Sequence, residues 1–134
     1  MRQAGMRTGR PIGMIRVASA GLLIVHGAYR ALHAGNVAGF GAFLAESGIP
    51  MGIPIAWGIT AFEVIGGALL LSGMAVRPLA LMFAFELAAG IALVHIREGW
   101  FVVGGGRNGM EYSVLLITCM LAVAWDRAHQ RRVD

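Results

Sequence analysis

The chain has 134 residues, of which 57% are hydrophobic and 13% charged, against roughly 25% charged in an ordinary soluble domain. So few charges cannot cover a water-facing surface, and the composition points instead to a single small all-α integral membrane domain over residues 1–134. The net charge of +4 does not make a nucleic-acid binder, because the arginines gather at the two chain ends and at one turn instead of along a stripe.

The first expected span covers residues 12–34, with a charge-free core at 17–25 behind a basic leader of Arg2, Arg7, Arg10 and Arg16. That leader resembles the start of a signal peptide. The small residues Ala18, Ser19 and Ala20 lie at the wrong end of the apolar run for cleavage, so the helix is expected to be retained. Residues 35–53 turn to glycine and small side chains, with Phe40, Phe43 and Leu44 at helical spacing between Asn36, a candidate N-cap, and Gly48, a candidate stop. This reads as a short interfacial or re-entrant helix, far below the roughly 20 residues that a span needs.

A second span covers 54–76, with Glu63 as its one charge and Pro54 suited to a first helical turn. Arg77 and Pro78 make a turn, and a third span over 78–98 carries Glu86 and His95. Residues 99–109 contain Gly104, Gly105 and Gly106, which disfavour a helix. A short fourth span covers 110–125, closed by Asp126 and a basic tail. The expected architecture is a four-transmembrane-helix bundle with a short interfacial helix between spans 1 and 2. Continuous apolar runs, without alternation, exclude a transmembrane β-barrel.

Arginine placement orients the chain. Arg2, Arg7, Arg10, Arg16, Arg77, Arg127, Arg131 and Arg132 fall on one side, while Arg97 and Arg107 fall on the other, with Arg30 near the outer end of the first span. Both termini are therefore expected in the cytoplasm, with an even number of crossings by a multi-pass protein.

An ionisable group near the bilayer centre costs on the order of 2.5 to 3.5 kcal/mol on insertion scales, so each one requires a reason. At about 1.5 Å per residue, His26 lies roughly 15 Å beyond Arg16 and Glu63 roughly 13 Å inward from Pro54, both near the midplane. Arg30 stands a turn further out. His95 lies roughly 25 Å along the third span, and Glu111, followed by Tyr112, opens the fourth. His26, Arg30 and His33 form one stripe at i, i+4 and i+7. Glu63 shares a face with Gly66, Gly67 and Leu70, where a neighbouring backbone can approach closely, so it is expected to face protein. Glu86 and His95 are spaced to point in opposite directions on a regular helix, which makes Glu86 the expected contact to a partner or second protomer.

The bland account of these groups is an ion pair, Arg30 with Glu63 or Glu111, that joins helices without chemistry. Because buried pairs are often neutral against apolar replacements, retaining several charged groups favours binding or proton handling. Haem ligation by His26 and His95 is disfavoured by a depth difference of roughly two turns. No metal site is expected, and the lone Cys119 excludes an internal disulfide or paired-cysteine relay. Met74, Met82 and Met120 suit core filling, and Trp57, Trp100 and Trp125 suit interface anchoring. The glycine run lacks the following Lys-Ser/Thr of a phosphate loop.

Taken in order, His26-Gly27 with Arg30, Ser47-Gly48-Ile49-Pro50, Glu63-Val64-Ile65-Gly66-Gly67, Arg77, His95 with Gly99, and Glu111-Tyr112 resemble the DoxX family of small four-helix bacterial membrane proteins, over residues 12–125. The resemblance implies association with terminal quinol oxidation, thiosulfate:quinone oxidoreduction, or membrane oxidoreductase complexes that resist oxidative stress. His26, Glu63, His95 and Glu111 match the family's recurring polar positions, and Arg30 stands where a lysine is more usual, which keeps charge but not geometry. Glu86 departs from the pattern where an apolar residue is expected, and so does the tail Asp126-Arg127-Ala128-His129.

The functional expectation is an accessory subunit of a quinone-linked respiratory or redox-protective oxidoreductase complex. His26, Arg30, Glu63, His95, Glu111 and Tyr112 would bind the quinone or relay its protons, a task that histidine suits by both donating and accepting near neutral pH. The sequence holds no complete redox centre of its own, so electrons would run through a partner's cofactor. Expected partners are the lipid bilayer and either redox-protein subunits or a second copy, with no nucleic acid. The alternatives are a small-solute transporter or channel, disfavoured by the lack of a visible repeat, and a structural assembly factor.

Overall fold

The computed structural model describes residues 9–130, apart from the side chain of Gln130. Arg2, Arg7, Arg131 and Arg132, which the orientation argument uses, lie outside the described residues. Every regular element among the described residues is helical: α1 (Gly9–Leu32), α2 (Asn36–Glu46), α3 (Gly52–Ser72), α4 (Val76–Glu98) and α5 (Glu111–Gln130).

Three of these, α1, α3 and α4, are long and apolar enough to cross a membrane. Within their most apolar stretches only 22%, 33% and 22% of residues are buried, so most of their large apolar side chains point outward. Phe85, Val25, Ile65 and Leu22 are all exposed. An outward apolar surface on this scale would aggregate in water and is at home in lipid. The chain is a membrane protein.

The expected fourth span falls in α5, whose helix continues past Trp125 through Asp126, Arg127 and His129 to Gln130. From Glu111 to Trp125 it rises only about 21 Å, short of the ~30 Å hydrocarbon layer. The helix as a whole has 20 residues but carries Glu111, Asp126 and Arg127, and it is not among the three described helices that are apolar enough over the length of a span.

Helix ends follow local chemistry. Gly48 (φ 85) and Gly73 (φ 87) close α2 and α3 in the left-handed conformation. In each, the amide that follows this glycine reaches back, Ile49 N–H to the Leu44 carbonyl at 3.0 Å and Met74 N–H to the Leu69 carbonyl at 2.9 Å. The start of α2 differs from expectation by one position, with Gly35 (φ 84) as the cap and Asn36 already helical. Helix α3 begins two residues before Pro54, and α4 begins at Val76, which puts Pro78 inside a first turn where its missing N–H costs nothing.

Both α3 and α4 contain a π-helical turn, Phe62–Gly66 and Ile91–His95. Each is bounded by glycine, Gly66 and Gly67 in one and Gly90 in the other. The wider turn slows the rotation per residue, so His95 no longer stands in the phase relative to Glu86 that a regular helix would impose.

The chain divides into two compact units. One is Ala20–Met74, in which α2 packs along α3. There Gly41 and Gly52 meet so closely that a Cβ on Gly52 would strike the Gly41 carbonyl. The other joins the start of α1, through Ser19, to the chain from Ala75 onward, and in it α4 packs along α5.

Candidate functional site

In the Ala20–Met74 unit the expected polar positions come together around Arg30. Helix α3 presents one buried face made of Ala56, Thr60, Glu63, Gly67 and Leu70, a spacing of three and four that a helix stacks in a row. Glu63 therefore faces protein, as its glycine neighbours suggest, and does so from within the π-turn.

Helix α1 meets this face through glycine. A Cβ on Gly27 would lie 2.8 Å from Glu63 Cβ and 3.0 Å from its Oε2, and a Cβ on Gly67 would lie 2.7 Å from Ile24 Cγ1. The absence of both side chains lets the two backbones approach. That approach delivers Arg30, one turn beyond His26, onto the carboxylate.

Arg30 Nη1 donates to Glu63 Oε2 at 2.7 Å, and Nη2 donates to Oε1 at 3.3 Å. Nη1 also donates to Thr60 Oγ1 at 3.1 Å, while the Thr60 hydroxyl donates to the Ala56 carbonyl at 2.7 Å. The Phe40 ring of α2 lies 4.6 Å from the guanidinium carbon, a cation–π distance. The side chains of Arg30 and Glu63 are 13% and 5% exposed. A forked, charge-assisted pair of this kind fixes both partners in orientation.

Beside the pair opens a recess of about 360 Å³ lined by His26, Tyr29, Arg30, Gly35, Asn36 and Gly39. This is at the lower end of the ~300 to 1,000 Å³ typical of small-molecule sites. His26 is exposed on α1 at this recess. His33, the third residue of the expected stripe, lies just beyond the helix end. Its Nδ1–H donates to the Tyr29 carbonyl at 2.8 Å and its ring stacks on Tyr29 at 3.8 Å.

The remaining candidates belong to the second unit. His95, half-buried at the end of the π-turn, donates from Nδ1 to the Asn108 carbonyl at 2.8 Å. Asn108 is left-handed (φ 60), a conformation asparagine tolerates better than most residues. Glu111 Oε1 accepts the Val102 N–H at 2.9 Å. The amides of Gly109, Met110 and Glu111 bond to the carbonyls of Phe101, Gly99 and Trp100. Together these bonds tie residues 99–110 into a closed loop. Tyr112 is exposed, and Glu86 is half-buried on α4.

Of the two pairings weighed for Arg30, the structure makes the one with Glu63. The sequence pattern does not single out Thr60, Phe40, Tyr29 or Asn36 as members of the site. Thr60 was accessible in principle, being three residues before Glu63 on its face. Phe40 required knowing where α2 folds back.

The DoxX family model matches residues 12–96. That match includes the whole Arg30 cluster and His95, and ends before Glu111 and Tyr112. No curated protein and no solved structure matches the chain.

Proposed function

The chain belongs to the DoxX family of membrane proteins, and on that premise we propose that it is an accessory subunit of a quinone-linked respiratory or redox-protective oxidoreductase complex in the bacterial inner membrane. The observation that carries this reading is the recess at the outer end of α1, where His26, Tyr29 and Asn36 surround an arginine already anchored by Glu63. A flat, carbonyl-bearing ring suits such a wall. Arg30 and Asn36 offer N–H donors, the aromatic rings of Tyr29 and His26 offer flat apolar contact, and the His26 imidazole carries one hydrogen-bond donor and one acceptor. The chain supplies binding and proton handling, while electrons come from a partner's cofactor.

In this reading α5 completes a four-span topology with both termini cytoplasmic, and α2 lies at the outer interface. His95 and Glu111 act as positioning residues for the loop over 99–110, with Tyr112 at its edge. Glu86 serves as the contact to a partner or second copy on α4.

A structural role for the polar groups is the second reading, favoured by the close glycine contacts at Gly27 and Gly67 around Glu63. Gentle extraction from native membranes followed by mass spectrometry separates the two. The oxidoreductase reading expects a stoichiometric redox polypeptide or a retained quinone, lost in the His26→Ala protein while it remains folded. Clean protein with neither companion leaves helix pairing as the role. Glu86→Leu is expected to weaken association in the same preparation.

A further inference from the structure

The groups that line the recess determine the charge of the ligand it accepts. Its wall carries one full cation, Arg30, and the Glu63 carboxylate stands 2.7 Å from it. With side chains 13% and 5% exposed, the two charges cancel where neither water nor salt weakens their attraction much. The bonds to Glu63 and Thr60 occupy only part of the guanidinium's N–H fork. Arg30 thus remains a donor on the recess wall after its charge has been neutralised.

The rest of the lining, His26, Tyr29, Gly35, Asn36 and Gly39, holds no carboxylate and no second arginine. The start of α2 adds the positive end of a helix dipole, roughly half an elementary charge. That favours the partial negative charge of a carbonyl oxygen. It does not supply the full counter-charge that an oxyanion calls for.

We propose that Glu63 sets the ligand specificity of the recess by cancelling the charge of Arg30 while leaving its N–H groups in place, so that the site takes an uncharged carbonyl-bearing ring and rejects oxyanions. The proposal rests on the reading of this recess as a quinone site and deepens it. Glu63 acts through Arg30 and is a positioning residue.

The test is calorimetric titration of the full chain in phosphatidylcholine nanodiscs, with a short-tailed benzoquinone and with inorganic sulfate. The unaltered protein is expected to bind the benzoquinone and not the sulfate. Glu63→Gln keeps the shape and an acceptor for Arg30 but removes the cancelling charge, and should gain sulfate affinity by about tenfold or more. His26→Arg adds an uncancelled cation at an exposed position of the same wall and should gain sulfate binding too. This second variant decides the matter if Glu63→Gln does not fold. Sulfate binding by the unaltered protein that benzoquinone displaces, or no gain in the folded variants, overturns the proposal. If benzoquinone binds to none of the proteins while the sulfate results come out as expected, the quinone reading falls and charge selection by Glu63 stands.

Discussion

The two π-helical turns invite comparison, because each carries a candidate polar residue and the two residues are used differently. At Phe62–Gly66 the turn holds Glu63 almost fully buried, bonded to a side chain on another helix. At Ile91–His95 the turn ends on His95, half-buried and bonded to a backbone carbonyl of the adjacent loop. The first arrangement leaves a charge-neutral donor beside an open recess. The second closes a loop, together with the bond from Val102 N–H to Glu111. A π-turn by itself therefore does not say what its residue does, although such turns are frequent at functional sites. The partner decides: a charged side chain makes a site whose electrostatics are set, whereas a backbone carbonyl makes a brace.

Glu63→Ala would break the first arrangement most severely. It leaves the Arg30 guanidinium buried without its counter-charge, and should destabilise the protein by about 3 to 5 kcal/mol, read as a fall in the unfolding midpoint in detergent. Replacing both residues by leucine should recover most of that loss, since the pair is costly to break and cheap to exchange for apolar contact. A single alanine variant as stable as the parent would mean that the pair is solvated and that the contrast between the two regions is wrong.

Gly27→Ala tests the packing that brings Arg30 and Glu63 together. The new methyl group lies 2.8 Å from Glu63 Cβ, and overpacking of this kind costs about 1 to 3 kcal/mol. Alanine at Gly13, where a Cβ meets nothing within 4 Å, should be neutral or slightly stabilising and serves as the control.

In the second region the effects should be smaller and local. His95→Ala removes one bond, worth about 1 kcal/mol, and should speed hydrogen exchange of the Val102 and Gly109 amides without altering exchange around Glu63. Simultaneous loosening of both regions would show His95 to be a wider structural link than its bond to Asn108 suggests. Tyr112→Phe should change stability by no more than about 0.5 kcal/mol, as expected for an exposed position. A loss of retained quinone in that variant would move Tyr112 from the loop's edge into the binding machinery.

Much of the α3 site could be read from spacing. Glu63 followed by Gly66, Gly67 and Leu70 lies on one helical face, and all four are buried. The place of Arg30 one turn from His26 made it a natural partner, but spacing could not choose between Glu63 and Glu111, because that choice depends on which helix α1 approaches through Gly27. The stripe of His26, Arg30 and His33 was sound as far as Leu32, where the helix ends and His33 turns to the Tyr29 carbonyl. The π-turns left no periodic trace, since an apolar stretch of this length has few polar markers to reveal a shift in phase.

The amino-acid sequence alone determined that this is an all-helical membrane protein, because long uncharged apolar runs can satisfy their backbone in lipid only as helices. It also determined that buried ionisable groups would need protein neighbours, because their desolvation is costly anywhere else. Tertiary structure alone decided which groups met. Glycine contacts at Gly27 and Gly67 bring α1 onto α3, two widened turns reset the faces of their helices, and α2 lays Phe40 against Arg30. These outcomes depend on distances between segments remote in the chain, and local periodicity carries no record of them.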